Sequence, residues 1–426
     1  MSPVFDRGRA LWLIVRRSLR QHLLSTSITV LSTALAVGLV MAVFAISEQS
    51  RRAFAGGQLG FDAVLGARGS QLQLVLNTVF HLETSPGNIP WSMYEDIAKD
   101  PGVELALPYA VGDNYQGFRI VGTSGDIFDR FEFQEDRKFQ FQAGGRAFDS
   151  SRREAVLGST VAEKTGLALG ETFQPSHGVT GKSGETVHEE EYVVVGVLEP
   201  TQSPSDRVIW IPIEGVFRMG GHVLRGTGEE FRAEAGQSIP DEHKEVSAVL
   251  LKLRNSRAGL SLRNLINRQG KEATLAWPIA QVMVELFQKL GWVQSVLQLV
   301  AWLVVVVAAG SILASIYNTM NERRREFAIL RALGAKRRTV FAAIVLEATT
   351  IAGLGAIVGY GVGLAILFGA ATVIRIETGV AMDIFAFHWA LVWAPALMIV
   401  LGAFAGMLPA RKAYATDVAS HLIPAS

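Results

Sequence analysis

Two uncharged apolar segments, Leu290–Thr319 and Ala348–Ile374, enclose a run of seven basic residues: Arg323, Arg324, Arg325, Arg331, Lys336, Arg337 and Arg338. Each segment exceeds the roughly 20 apolar residues that carry a helix across a bilayer. A chain built this way folds in lipid, where a helix satisfies its own backbone polar groups. A dense basic cluster in a short loop between two spans places that loop in the cytoplasm. Within it Phe327, Leu330 and Leu333 recur at helical spacing, and Gly334 stands where a short helix would end. The loop reads as a small helix with an apolar ridge and basic flanks, a shape suited to a groove on a partner protein. A purely topogenic loop with no partner fits the same residues.

The rest of the chain extends this pattern. Asp6–His22 interleaves Arg7, Arg9, Arg16, Arg17 and Arg20 with Leu11, Trp12, Ile14, Val15 and Leu19, as in a helix lying among cytoplasmic headgroups. Ser25–Ile46 then runs uncharged. That is longer than the roughly 7–15 residues of a cleavable signal core, so an uncleaved first span is expected. The basic residues fall on the inner side at each crossing, with Arg375 alone in the outer connection between spans three and four. The expected organisation is a cytoplasmic amphipathic helix over residues 1–24 and a first span over 25–47. An extracytoplasmic domain with stalk helices follows over 48–289, then a second span over 290–319 and a cytoplasmic loop over 320–338. A third span (339–374), an outer connection (375–386), a fourth span (387–408) and a cytoplasmic tail (409–426) complete it.

Between spans one and two the sequence is polar, with frequent Gly and Pro. Strand-like runs occur at Phe61–Leu65, Glu104–Tyr109, Gly117–Gly122, Glu154–Leu157, Tyr192–Leu198, Val208–Ile213 and Val246–Leu253. Helical stretches fall at Trp91–Ala98 and Thr160–Gly166, giving an α+β domain; Gly220–Pro240 reads as a loop or small insertion. After Pro278, the residues Ile279, Val282, Met283, Leu286, Leu290 and Val293 keep a helical repeat into span two, predicting one continuous helix. Its natural partner is the helix leaving span one through Gln49–Phe54. In span three Gly355, Gly359 and Gly363 form a repeated G-x-x-x-G, which admits another helix closely. Span four and a second subunit are the candidate partners. Glu347 is the sole carboxylate from Thr339 to Ile374, and a structural partner within the bundle is expected for it rather than an ion relay.

Composition limits the chemistry. A mean hydropathy of +0.28 sets the chain apart from ordinary soluble enzymes, and a net charge of +1 argues against a nucleic-acid binder. With no cysteine, disulfides and thiolate metal sites are excluded. Gly181-Lys182-Ser183 resembles a phosphate loop, but Ser176 stands where the pattern needs glycine. No nucleotide-binding fold, catalytic constellation or cofactor is expected. His81, His177, His188, His222 and His243 lie in the outer domain, and His188 adjoins Glu189, Glu190 and Glu191. No pair has compact ligand spacing, so solvated surface rather than a metal site is expected.

The run Glu322-Arg-Arg-Arg-Glu-Phe-Ala-Ile-Leu-Arg-Ala-Leu-Gly-Ala resembles the signature loop of FtsX/MacB-type ABC transporter permeases, and Leu408-Pro-Ala-Arg-Lys-Ala-Tyr-Ala-Thr-Asp resembles the family's usual end. The segments from Gly117 through Glu154-Ala-Val-Leu-Gly to Tyr192-Val-Val-Val-Gly are similar to the MacB-type periplasmic core domain in strand order and glycine placement. The resemblance implies an α-helical membrane protein with four transmembrane helices and a large extracytoplasmic α+β domain, in the inner membrane. It further implies a coupling helix that docks on an ABC ATPase, here expected on a separate chain and in two copies. On this sequence the coupling set is Arg325, Glu326, Phe327, Leu330, Arg331, Leu333, Gly334 and Ala335. A second permease subunit is implied as partner, and a periplasmic adaptor or substrate-binding protein fits the same family. Export or extraction of a lipophilic, peptide or lipoprotein-like substrate is the expected function. The alternative is FtsX-like signalling, in which the outer domain activates an envelope enzyme without transport.

Overall fold

The computed structural model describes residues 3–55, 60–134, 136–178, 187–219 and 239–415. The candidate phosphate loop at Gly181-Lys182-Ser183, His222, most of Gly220–Pro240 and the tail beyond Ala415 lie outside those residues. The chain forms two compact units. One comprises Met1–Ser50, Leu290–Thr372 and Asp383–Ser426; the other comprises Arg51–Lys289 and Val373–Met382.

Among the described residues, four helices in the membrane unit are long and apolar enough to span a bilayer: Leu23–Phe54, Gly291–Glu322, Arg337–Thr378 and Ala390–Lys412. An entry helix, Pro3–Gln21, precedes the first span, and a loop helix, Arg324–Ala332, joins the second to the third. Small residues set the packing. Ala34, Ala36 and Val37 of span one, Ala301 and Ala308 of span two, and Ala348, Ala352 and Ala356 of span three are all buried. Outward faces stay apolar, as lipid requires: Leu299, Leu303 and Val306 on span two and Phe368 on span three are exposed. Ser25 and Ser315 meet through their hydroxyls at 3.1 Å, linking spans one and two.

The second unit is built on a mixed sheet. Its strands are β1 (Ala63–Ala67), β3 (Val103–Tyr115), β4 (Phe118–Thr123), β5 (Glu154–Leu157), β6 (Thr172–Phe173), β7 (Ser176–His177), β8 (Tyr192–Val197), β9 (Val208–Pro212), β11 (Ala248–Leu253) and β12 (Ala273–Ala276). The order is β12-β1-β11-β3-β4-β9-β5-β8-β6, with β7 pairing β3. A separate two-stranded piece pairs β2 (Ile89–Pro90) with β10 (Glu245–Val246). Alternation divides each strand between two cores. Ala63, Leu65, Ile120, Ile209, Ile211, Val249 and Leu251 face one side, and Val64, Val121, Val208, Trp210, Ala248 and Leu250 the other. Both faces are covered, which is why these strands read as continuous apolar runs. β3 and β4 are joined by the two-residue turn Gln116-Gly117, both at positive φ (50° and 82°), the geometry whose twist suits a tight hairpin.

The predicted continuous helix into span two is interrupted. One helix covers Ile279–Lys289 and the next begins at Gly291, with Leu290 at ψ −1°. Glycine at this point weakens helix propagation. The helix leaving span one is unbroken through Ala55, and its Phe54 ring lies 6.2 Å from Phe287 and 5.1 Å from Phe80. The outer connection as far as Met382 belongs to this second unit: Val380 is buried there and the Ala381 N–H donates to the Gln202 carbonyl at 3.3 Å.

Candidate functional site

The loop helix ends as its sequence predicts. Gly334 has φ +97°, a conformation that Cβ disfavours elsewhere. The Ala335 N–H donates to the Leu330 carbonyl and the Gly334 N–H to the Arg331 carbonyl, each at 3.0 Å. These paired bonds form a Schellman cap, which satisfies the last carbonyls and turns the chain toward span three.

The ridge does not face outward as a unit. Phe327 is buried in the core of its own bundle and Leu330 packs half-buried against the same core. Leu333, by contrast, is 80% exposed, and Ile329 is exposed as well. A helix of nine residues turning 100° per residue cannot present positions 327, 330 and 333 on one line once 327 is turned inward. The outward face instead carries Arg325, Glu326, Ile329 and Leu333, spaced by three and four, while Arg331 and Ala335 sit at its half-buried margin.

What holds the helix in place is a buried polar cluster that the sequence did not single out. Arg323, just before the helix, is buried. Its Nη1 donates to Ser18 Oγ of the entry helix at 2.6 Å and lies 3.5 Å from Glu347 Oε2 of span three. Ser18 Oγ donates in turn to Glu347 Oε1 at 2.5 Å. Arg323 Nε donates to Glu326 Oε2 at 2.9 Å, and its guanidinium lies over the Phe327 ring at 5.1 Å. Glu322 Oε2 adds a contact to His22 Nδ1 at 3.2 Å. Glu347 therefore has its partners in the bundle, and three chain segments 305 and 329 residues apart meet at one guanidinium and one carboxylate. Burial of such a pair is tolerable only because hydrogen bonds complete it.

The glycine stripe of span three packs on span one, a partner absent from the two expected. A Cβ at Gly355 would meet Thr33, one at Gly359 would lie 2.7 Å from the Ala34 carbonyl oxygen, and one at Gly363 would lie 3.3 Å from that of Gly38. Gly402 and Gly406 of span four form a second stripe of the same spacing, against Ala352 and Ala348. Their G-x-x-x-G spacing is itself legible in the sequence.

His188 departs from the solvated surface expected of it. It is buried, with Nε2 2.9 Å from Asp113 Oδ1, whereas Glu189 and Glu191 are exposed. The hydrogen bond to Asp113, more than burial opposes it, raises the His188 pKa.

Residues 26–257, more than half of the chain, match the family model of the MacB-like periplasmic core domain, and residues 299–418 match the FtsX-like permease C-terminal model. The chain belongs to the FtsX/MacB-type ABC transporter permeases. As an FtsX/MacB-type permease it is a multi-pass inner-membrane protein whose large α+β domain lies in the periplasm. It is similar to the macrolide export ATP-binding/permease protein MacB of Rhodospirillum rubrum, 24% identical over 94% of this chain and 58% of that protein. It is also similar to the pyoverdine export ATP-binding/permease protein PvdT of Pseudomonas putida, 24% identical over 92% of this chain and 56% of the relative. The chain thus spans a little over half the length of these curated relatives. The periplasmic region of MacB from Actinobacillus actinomycetemcomitans aligns over 54% of this chain and 94% of its own, at 13% identity and a TM-score of 0.32.

Proposed function

We propose that this permease couples ATP hydrolysis by a cytoplasmic ABC ATPase to movement of its periplasmic domain, and so exports or extracts a lipophilic, peptide or lipoprotein-like substrate. The observation that carries the reading is the two-sided loop helix. One side is anchored to the entry helix and span three through Arg323, Ser18, Glu347 and Phe327. The other side offers Arg325, Ile329 and Leu333 to solvent. Force applied to the outer side reaches two other helices through short, buried hydrogen bonds. The permease itself contributes no catalytic group in this reading. Two ATPase copies would serve a pair of permeases, since four spans make half a translocation unit in this family. Such a pairing has a continuous apolar stripe available on span two at Trp292, Val296, Leu299, Leu303 and Val306.

The docking side is tested with Leu333→Asp and Phe327→Ala. Burying Leu333 contributes about 1.5–3 kcal/mol of transfer energy, and an unpaired carboxylate in its place costs several kcal/mol more. At about 1.4 kcal/mol per tenfold, Leu333→Asp weakens ATPase binding at least 10- to 100-fold. Capture of the ATPase and its stimulated turnover in nanodiscs are lost while membrane insertion is kept. Phe327→Ala lowers the stability of the permease first. Wild-type capture and turnover for Leu333→Asp would refute the docking assignment.

A further inference from the structure

His177 and His188 belong to the periplasmic unit and take no part in the loop. β3 and β7 set Asp113 directly opposite His177 in antiparallel register, and residues so opposed share one sheet face. Beyond β7, Val187 bridges Ser176, and the His188 N–H donates to the Pro175 carbonyl at 2.8 Å. His188 therefore stands opposite Pro175, two residues from His177 and on the same face, because side chains alternate with period two. The register alone gathers one carboxylate and two imidazoles from three chain segments.

Their ligand atoms all lie within 4.8 Å of one another. His188 Nε2 is 2.9 Å and His177 Nδ1 3.5 Å from the same atom, Asp113 Oδ1. A tetrahedral ion with bonds of about 2.0–2.1 Å keeps its ligand atoms about 3.3 Å apart, between those two separations. Asp113 and His188 are buried and His177 is half exposed, so the cluster has a closed wall and one side open to water. Two nitrogens with one carboxylate oxygen are borderline donors, which suit Zn²⁺, Co²⁺ or Ni²⁺ and offer too few oxygens for Ca²⁺ or Mg²⁺.

We propose that Asp113, His177 and His188 form a site for a divalent transition-metal ion of the zinc class, with the fourth position open to water beside His177. The ion ties β3, β7 and the segment at His188 together, so occupancy stiffens this edge of the periplasmic sheet. The site is independent of how the loop helix couples to an ATPase.

The test uses the full untagged chain in detergent, dialysed against Zn²⁺ alone and separately titrated with Co²⁺ alone. The expected result is one ion per chain, visible Co²⁺ absorption that Zn²⁺ abolishes, and a thermal transition raised by Zn²⁺. His177→Ala, at a half-exposed position, retains the fold and weakens binding by about 100-fold or more, beyond the loss that removal of a supporting outer residue brings. His243→Ala leaves the affinity unchanged. Fewer than half an ion per chain, or equal affinity in wild type and His177→Ala, would overturn the assignment.

Discussion

Gly359 and Gly361 lie two residues apart in span three, yet the same substitution at each should act in opposite directions. A Cβ at Gly359 would lie 2.7 Å from the Ala34 carbonyl oxygen, 2.8 Å from Val37 Cβ and 3.1 Å from Ala34 Cα. At Gly361 it meets nothing within 4 Å. Ordinary van der Waals contact begins near 3.4 Å, so span one must retreat by roughly 0.7 Å, and two of the three atoms it would carry away are backbone. A gap of that size forfeits about a quarter to a half of each dispersion contact along the seam, and overpacking of this kind costs about 1–3 kcal/mol. Alanine in place of helical glycine returns up to about 1 kcal/mol at either position. The expected order of stability is therefore Gly361→Ala at or above wild type, with Gly359→Ala below both. The gap between the variants is about 1–3 kcal/mol, or about 2–12 °C in Tm for a unit of this size. Thermal unfolding in detergent, followed by tryptophan fluorescence, measures it. Equal transitions for the two variants would show that the glycine stripe is not a packing seam against span one.

Two further outcomes follow from buried charges. Arg323→Ala strands Glu347 and should cost about 3–5 kcal/mol, while the double change Arg323→Met with Glu347→Leu recovers most of that loss; denaturant unfolding of all three chains checks it, and a double variant no more stable than Arg323→Ala would argue against the cluster. His81 is half-buried, and its pKa is lowered well below 6.5, first by desolvation and then by Arg119 and Arg207. Folding stability that His81 contributes is therefore present above pH 6.5 and declines as pH falls toward the lowered value, by about 1.4 kcal/mol per pH unit. His81→Asn, which tolerates the positive φ of that position, should remove this slope in unfolding measurements between pH 7.5 and 5.5.

The membrane pattern was legible because lipid imposes it. A span must be long, uncharged and helical, and each of the four sequence segments falls within an observed helix or overlaps it closely. Strand cores were legible for a related reason: a sheet covered on both faces writes itself as short apolar runs, as at Glu154–Leu157, which matches β5 residue for residue. β12 escaped because its run, Ala273–Ala276, is four residues long and contains two alanines. Its identity comes from pairing with β1, a partner more than 200 residues away in sequence.

Side-chain partnerships across the fold were the least legible, and for one physical reason. Helical spacing marks Phe327, Leu330 and Leu333 as a ridge, but spacing records only that residues share a side, not what that side meets. Here the bundle itself claims Phe327, so the solvent-facing anchor shifts to Ile329 and Leu333. Arg323 looked like one more positive charge in a topogenic cluster. Its neighbours Arg324 and Arg325 are exposed as that reading requires, while Arg323 turns inward to a carboxylate two helices away. A topology signal needs no particular arginine, since the rule counts charges. A buried hydrogen-bonded pair needs this one, because removing either partner leaves the other charged and dry. The two demands coexist in one run of three arginines, and replacing each in turn separates them: Arg323 should control stability, while Arg324 and Arg325 should leave it nearly unchanged.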